Sequence, residues 1–346
     1  MQSRKMLSQL SLIFLSVFCL PTLLASGGTV EATEFNGLPA YRLSDGKTEA
    51  LVVPALSGRV MRYGTVDGLN WMWNASVEKL QGDGYKNHGG DKTFAGPHSV
   101  WETFGPIWPP DASWDGAPHQ AQVLAEGRLK TTGNIWRGFG VRVIREFSFN
   151  ASGEFVITHT LEKVEGEPRQ LAIWPVTQTI SADAVIIPLK VNSAYARGFH
   201  SFGDLPASAK MEVLPEAVLE NGRRSEMKLL KVTPTAETAY KIGADSPLAA
   251  IAAIKGNLVF LQRGEELQGQ YPDGGEGAGL PVEFYSHGES GSAHFVELEL
   301  LSPLVCLRAG ESITFTTRWS VHPLPEAPHE HLPAVERLFV ESPVVP

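Results

Sequence analysis

The sequence predicts an all-β chain, most simply a large antiparallel sandwich or paired sandwich, and three observations carry that reading. Apolar and polar residues alternate with period two in short runs between Glu49 and Val321, each bounded by Gly, Pro, Asn or Asp. No long stripe of 3.6-residue period and no internal repeat interrupts this pattern. The composition agrees: 34 Gly and 24 Pro among 346 residues make a turn-rich chain, and 43% hydrophobic residues suffice for a core.

In chain order, Arg4 and Lys5 precede an apolar run, Leu10 to Ala25, that is short for a membrane span and ends in small residues. This is the pattern of a secretory signal peptide over residues 1–25, cleaved after Ala25 or Ala32, and it predicts a periplasmic or secreted protein with no stable membrane association afterwards. Cleavage after Ala25 removes two positive charges and takes the formal charge from −9 to −11. An acidic surface gains nothing from phosphate backbones or anionic lipid, which argues against nucleic acid as a partner. Cys19 leaves with the signal, so Cys306 has no intrachain partner. It sits in the apolar run Ser302–Leu307 and is expected to be a small buried thiol.

Strand runs follow at Glu49–Val53, Leu56–Gly64, Leu69–Trp73, Gly140–Phe149, Glu154–Leu161, Gln170–Gln178 and Val185–Leu189. The second half continues with Lys228–Val232, Tyr240–Ile242, Leu248–Ile254, Asn257–Gln262, Val282–Ser286, His294–Leu300 and Ser312–Val321. Together they predict one domain over residues 33–322. Residues 323–346 form a Pro-rich tail with a short helix near Pro333 to Val340.

Residues 82–120 do not read as scaffold. Gly and Pro stand at every bend, and Trp101, Phe104, Trp108 and Trp114 follow in close succession. A connection this long is normally functional, and indole faces stack on the apolar faces of sugars while Asp, His, Asn and Lys bond the hydroxyls. The competing reading is that these Trp plug the open end of a sandwich. In Phe295–Leu300, alternation puts Glu297 and Glu299 on one face, roughly 6 to 7 Å apart along the strand, with Val296, Leu298 and Leu300 on the other. Two such carboxylates split their pKa values if they face a site, and are ordinary surface groups if they face solvent.

These blocks, in this order, resemble the galactose-mutarotase-like superfamily and, more closely, its bacterial DUF4380 branch. Val53-Pro54-Ala55-Leu56-Ser57-Gly58-Arg59-Val60 resembles the opening strand pair. His88-Gly89-Gly90-Asp91-Lys92, Trp108-Pro109-Pro110 and Trp114-Asp115-Gly116 are similar to the family's Gly-Gly-Asp-Lys and Trp-Pro-Pro blocks. Ala172 to Gln178 resembles the central strand, and Val296 to Glu299 with Leu307 to Glu311 the closing pair. The resemblance implies an antiparallel β-supersandwich with a carbohydrate site on its concave face, needing no cofactor and no metal.

It further implies a general base at Glu297 or Glu299. The family's acid is commonly a His on the central strand, where this chain has Trp174 and Gln178; His88, His98 and His119 are the candidates to replace it. Related sugar-phosphate epimerases carry Arg before the Gly-Gly pair, and His88 in that position weakens a phosphate reading. The expected site therefore joins Glu297, Glu299 and His88 as catalytic groups. Asp91, Lys92, Trp101, Trp108, Trp114, Asp115, Trp174 and Gln178 are expected to hold a neutral sugar or oligosaccharide. Two functions remain open, a mutarotase or epimerase-like isomerase and a non-catalytic carbohydrate-binding protein. Mass spectrometry of the exported chain is expected to find an N-terminus at Ser26 or Thr33; a soluble product still starting at Met1 would refute the signal peptide.

Overall fold

The computed structural model describes residues 27–76, 80–81, 83, 85–104, 108–215, 227–274, 279–289 and 293–341. The expected signal peptide lies outside them. Strands β1 (Thr29–Phe35), β2 (Leu38–Ser44), β3 (Thr48–Val53), β4 (Arg59–Thr65) and β5 (Gly90–Gly96) lie side by side and begin the first sheet. Strands β6 (Gln120–Leu124), β7 (Arg128–Thr132), β8 (Val141–Phe149) and β9 (Phe155–Lys163) form a meander in the second. The chain then alternates between layers: β10 (Arg169–Ile180) joins the first sheet, β11 (Ala184–Lys190) the second and β12 (His200–Ser201) the first. Next, β13 (Lys210–Leu214) and β14 (Met227–Thr233) join the second sheet, β15 (Tyr240–Ala244) the first, and β16 (Ala250–Lys255) and β17 (Leu258–Gly264) the second. Strands β18 (Val282–Ser286), β19 (Phe295–Leu300) and β20 (Val305–Leu307) complete the first sheet, and β21 (Ser312–Pro323) the second.

Among the described residues these make two antiparallel sheets of eleven and ten strands, the all-β supersandwich expected from the sequence. The core between them follows from alternation: β8 turns Val141, Val143, Phe147 and Phe149 inward, and β9 turns Phe155, Ile157 and Leu161. Three inward positions break the apolar rule: Lys163, which donates to the Phe139 carbonyl at 2.6 Å, and Arg145 and His159, all fully or almost fully buried. Arg145 and His159 both find a partner on β5. Arg145 forms an ion pair with Asp91 and donates to the carbonyls of Gly58 at 3.0 Å and Asp91 at 3.2 Å. Thr177 donates to the second Asp91 oxygen at 2.8 Å, and Gln262 donates to Thr177 at 2.8 Å. His159 bridges Thr93 at 2.8 Å and Thr317 at 3.1 Å. A row of polar groups thus crosses the core and ties one sheet to the other.

Four expectations are corrected. The 82–120 segment is not one long connection, because it contains β5, which pairs with β10 and is buried at all seven positions. Leu69–Trp73 is not a ladder strand: it makes single links, Trp71 N–H to Tyr63 and Trp73 N–H to Gln178, and buries both indoles. Cys306 is exposed, because the apolar run around it is a three-residue edge strand held only by the start of β10. Residues 323–341 are not set apart, since helix α1 (His331–Glu341), present where a helix was expected, buries Val335 and Phe339 against Ile186, Ala252 and Leu261 of the second sheet. The first strand also begins before residue 33. A mature chain starting at Ser26 keeps β1 whole, whereas one starting at Thr33 loses four of its seven pairs with β2.

Arg145→Met leaves Asp91 buried without its counter-ion and is expected to lower stability by about 3–5 kcal/mol. Arg142→Met, on the exposed face of the same strand and paired with Glu162, should cost no more than about 1 kcal/mol. Urea denaturation of the two variants measures the difference, and equal losses would show that the inter-sheet pair contributes nothing special.

Candidate active site

Five strands of the first sheet present one face to a cavity of about 540 Å³. Register fixes which side chains share it. Glu297 on β19 lies opposite Gln178 on β10 and Tyr285 on β18, and Tyr285 lies opposite Lys241 on β15. One step along, Glu299 lies opposite Val176 and Glu283, and Val176 opposite Lys92 on β5. The period of two gives β5 a double role: Asp91 and Thr93 point into the core, while Lys92 and Phe94 point into the cavity. Gly89 and Gly90 begin this strand with φ of +88° and +70°, where a Cβ would strike the Trp73 and Val60 carbonyls. The turn they allow seats the strand beneath Trp73.

The walls are aromatic: Trp73, Tyr85, Phe94, Trp108, Trp174, Tyr285 and Phe295 all line the cavity. Its polar groups are Lys92, Gln178, Lys241 and Glu297, with Asn87, His98 and His287 at the margin. Lys241 Nζ stands 2.6 Å from Glu283 and 2.9 Å from Glu299, over the Trp174 ring at 4.7 Å. Trp174 Nε1 donates to the same Glu299 oxygen at 2.6 Å. Glu299 is therefore fully buried and held by an ammonium and an indole, whereas Glu297 remains partly open to the cavity and accepts from Gln178 Nε2 at 2.7 Å.

Burial and the nearby Glu299 push the Glu297 carboxyl above its ordinary value, against the pull of Lys92. Burial, opposed by Lys241 and reinforced by Glu299 and Asp273, pushes Glu283 up to about 8. Lys241, charged between carboxylates, is raised despite its burial. Burial lowers Lys92, and Asp115 at 3.9 Å opposes that effect. No described residue accepts a hydrogen bond from Lys92 Nζ, which lies 4.9 Å from the Phe94 ring centroid and 5.8 Å from that of Trp108.

The structure brings Glu297, Lys92, Trp108, Trp174 and Gln178 together at this cavity, with Glu299 beneath them. It separates the other expected residues. Asp91 points to the opposite face and pairs with Arg145. Trp101 and Trp114 are buried against Trp136; Trp101 donates its indole N–H to Ala95, so these two rings plug the sandwich rather than face a ligand. Asp115 is buried 2.5 Å from Arg59 and accepts from Tyr85 at 2.8 Å, which makes it a support behind Lys92. His88 is half-buried outside the lining, and its imidazole is lowered by burial and by Arg59. His119 is lowered to about 3 by burial and Arg145, beside Gly58. Of the three candidate His, only His98 lines the cavity. Sequence reasoning missed Lys241, Glu283 and Tyr285. The alternation of Tyr240–Ile242 and Val282–Ser286 placed them on one face, but no motif marked them.

No family profile matches the chain, and no curated relative does. Similar solved structures include a galactose mutarotase-like protein from Clostridium acetobutylicum, at 8% identity over 86% of this chain and 99% of that one with a TM-score of 0.51. A candidate mutarotase, YeaD, from Salmonella typhimurium gives 9% identity over 85% and 94% with a TM-score of 0.52. The Slr1438 protein of Synechocystis gives 9% identity over 87% and 98% with a TM-score of 0.50. The fold is that of the galactose mutarotase-like proteins.

Glu283 binds its proton more tightly folded than unfolded, so between about 4.5 and about 8 the native state holds the extra proton and stability falls as pH rises. Glu297, also raised, acts in the same direction. Glu283→Gln is expected to make this slope shallower in denaturation curves taken across the window; an unchanged slope would mean that Glu283 ionises normally.

Proposed function

We propose that this protein, exported as its N-terminal segment implies, binds a neutral sugar in the concave cavity and exchanges its anomers by acid/base catalysis, as a mutarotase-like isomerase. The reading rests on Glu297, a carboxylate whose affinity for protons is raised, partly open inside a cavity walled by Trp73, Trp108, Trp174 and Tyr285. Indole and phenol faces pack on the apolar faces of a pyranose, and the polar groups between them bond its hydroxyls. A base with a pKa moved towards neutrality is matched to taking a hydroxyl proton. Kinship with the DUF4380 branch is part of this proposal and rests on the motifs alone.

In the proposed cycle Glu297 removes the proton from the C1 hydroxyl while Lys92 gives one to the ring oxygen. The C1–O5 bond breaks, and the C1 oxygen forms a carbonyl. Rotation about C1–C2 and the reverse transfers close the other anomer, so both groups end as they began. Lys92 suits the acid role: burial weakens its hold on the proton, and its ammonium has no hydrogen-bond acceptor among the described residues. Lys241 holds Glu299 and Glu283 in place and leaves Glu297 as the reacting carboxylate.

One observation favours a binding-only alternative, the Gln178 amide that already occupies one Glu297 oxygen. NMR anomer exchange on each sugar that binds separates the two. Glu297→Gln is expected to abolish exchange and leave binding intact, and Lys92→Met to slow exchange by about 10²-fold or more. Trp108→Ala should weaken binding by about 1–2 kcal/mol, the scale of one stacking contact. A wild-type protein that binds sugars without exchanging their anomers would establish the alternative.

A further inference from the structure

The concave face does not end at the cavity. Strand β12 adds to the sheet beyond β15, pairing His200 with Gly243, which lies opposite Glu283, itself opposite Glu299. Alternation thus puts His200 on the same face as the carboxylates, two strands past Glu283. Two residues on, Phe202 is fixed beside β15 by its N–H, which donates to the Lys241 carbonyl at 3.1 Å. Lys241 Nζ lies 5.3 Å from the Phe202 ring centroid and 4.7 Å from that of Trp174, so one ammonium stands between a cavity wall and a ring outside the cavity.

Phe202 is 39% exposed, and with Trp108 it is one of the two large exposed aromatic rings among the described residues. Both border this face. Beside Phe202, at 5.0 Å, the His200 ring continues to Tyr195 at 5.6 Å. A second open cavity of about 680 Å³ adjoins them, lined by Tyr195, Arg197, His200 and Asp204 among others. The Asp273 carboxyl, pushed up by burial, is acted on by Lys241, Glu299 and His200 together, so it lies in electrostatic reach of both regions.

We propose that Phe202 and the polar groups beside it form a second sugar subsite, and that the ligand is an oligosaccharide laid along the face with one ring at Glu297 and the next beyond Lys241. This deepens the sugar-binding reading and rests on it. An exposed phenyl ring whose backbone is pinned to a sheet edge loses little freedom when a sugar stacks on it. The charged groups that line the adjoining cavity, Arg197 and Asp204, would donate to and accept from hydroxyls of a neutral chain. Lys241, already charged and shared by both regions, meets the linkage between the two rings.

The test uses ladders of neutral gluco-, galacto- and manno-saccharides of one to four rings, with binding measured by calorimetry on the whole chain. In the series that binds, affinity is expected to rise about tenfold between one ring and two or three, the scale of one aromatic contact. Phe202→Ala should remove that gain and leave the monosaccharide affinity unchanged, and Phe202→Tyr should restore it. Monosaccharide binding with no dependence on length, or a Phe202→Ala loss equal for all lengths, overturns the subsite alone. Failure of every saccharide to bind overturns the sugar reading, and the subsite with it.

Discussion

The ion pair between Asp91 and Arg145 is the constraint on which both the sandwich and the site depend. Two charges buried at the interface of the sheets are tolerated only when each is paired and bonded, and here each is: Asp91 accepts from Arg145 and Thr177, and Arg145 also meets two carbonyls. Such a pair admits one register. A slip of β5 by one residue would turn Asp91 into the cavity and Lys92 into the core, opposite Arg145. The bond that joins the layers therefore also decides which side chains face the cavity.

Behind the cavity floor a second set of charges is arranged by degree of confinement. Glu299 and Glu283 share the Lys241 ammonium, and Trp174 donates to the same Glu299 oxygen as Lys241. Both are held by short contacts, at 2.9 and 2.6 Å from the ammonium. Glu297 stands on the same strand two residues earlier, with one neutral amide as its bonded partner. A carboxylate near another carboxylate, in a place poor in water, holds its proton more tightly, which makes it a stronger base when ionised. In the proposed cycle Lys241 thus acts through its neighbours: by pairing with the deeper acids it leaves the shallower one as the reacting carboxylate.

How much of this could be read in the sequence depended on whether a strand obeyed the apolar rule. Strands β8, β9, β19 and β21 alternate plainly, and the face carrying Glu297 and Glu299 followed from alternation alone. Strand β5 was hidden because it is polar on both sides, with Asp91 and Thr93 inward and Lys92 towards the cavity. Its burial is paid for by partners on Arg145 and His159, more than fifty residues away in sequence, which no local pattern can reveal. Cys306 failed in the opposite sense: an apolar run promised burial, but a three-residue strand at an edge cannot supply it. Lys241 and Glu283 were placed by alternation yet unmarked, since an ion pair between neighbouring strands has no signature in either one.

The tryptophans make the same point about function. Trp101, Trp108 and Trp114 stand within fourteen residues of one another and look equivalent in sequence. Trp101 and Trp114 pack edge to face or tilted against Trp136, and the Trp101 indole N–H is spent on a backbone carbonyl, so their area stabilises the fold. Trp108 packs edge-on against Tyr85 and keeps half its surface open above Lys92. Tyr85 is in turn bonded to Asp115, which pairs with Arg59. An exposed indole costs stability unless something covers it, and this one is held in place by a chain of buried bonds rather than left loose. The molecule orders an uncovered ring beside a carboxylate and an ammonium that has no acceptor among the described residues, three features that the proposed ligand, a polyhydroxylated ring, would satisfy at once.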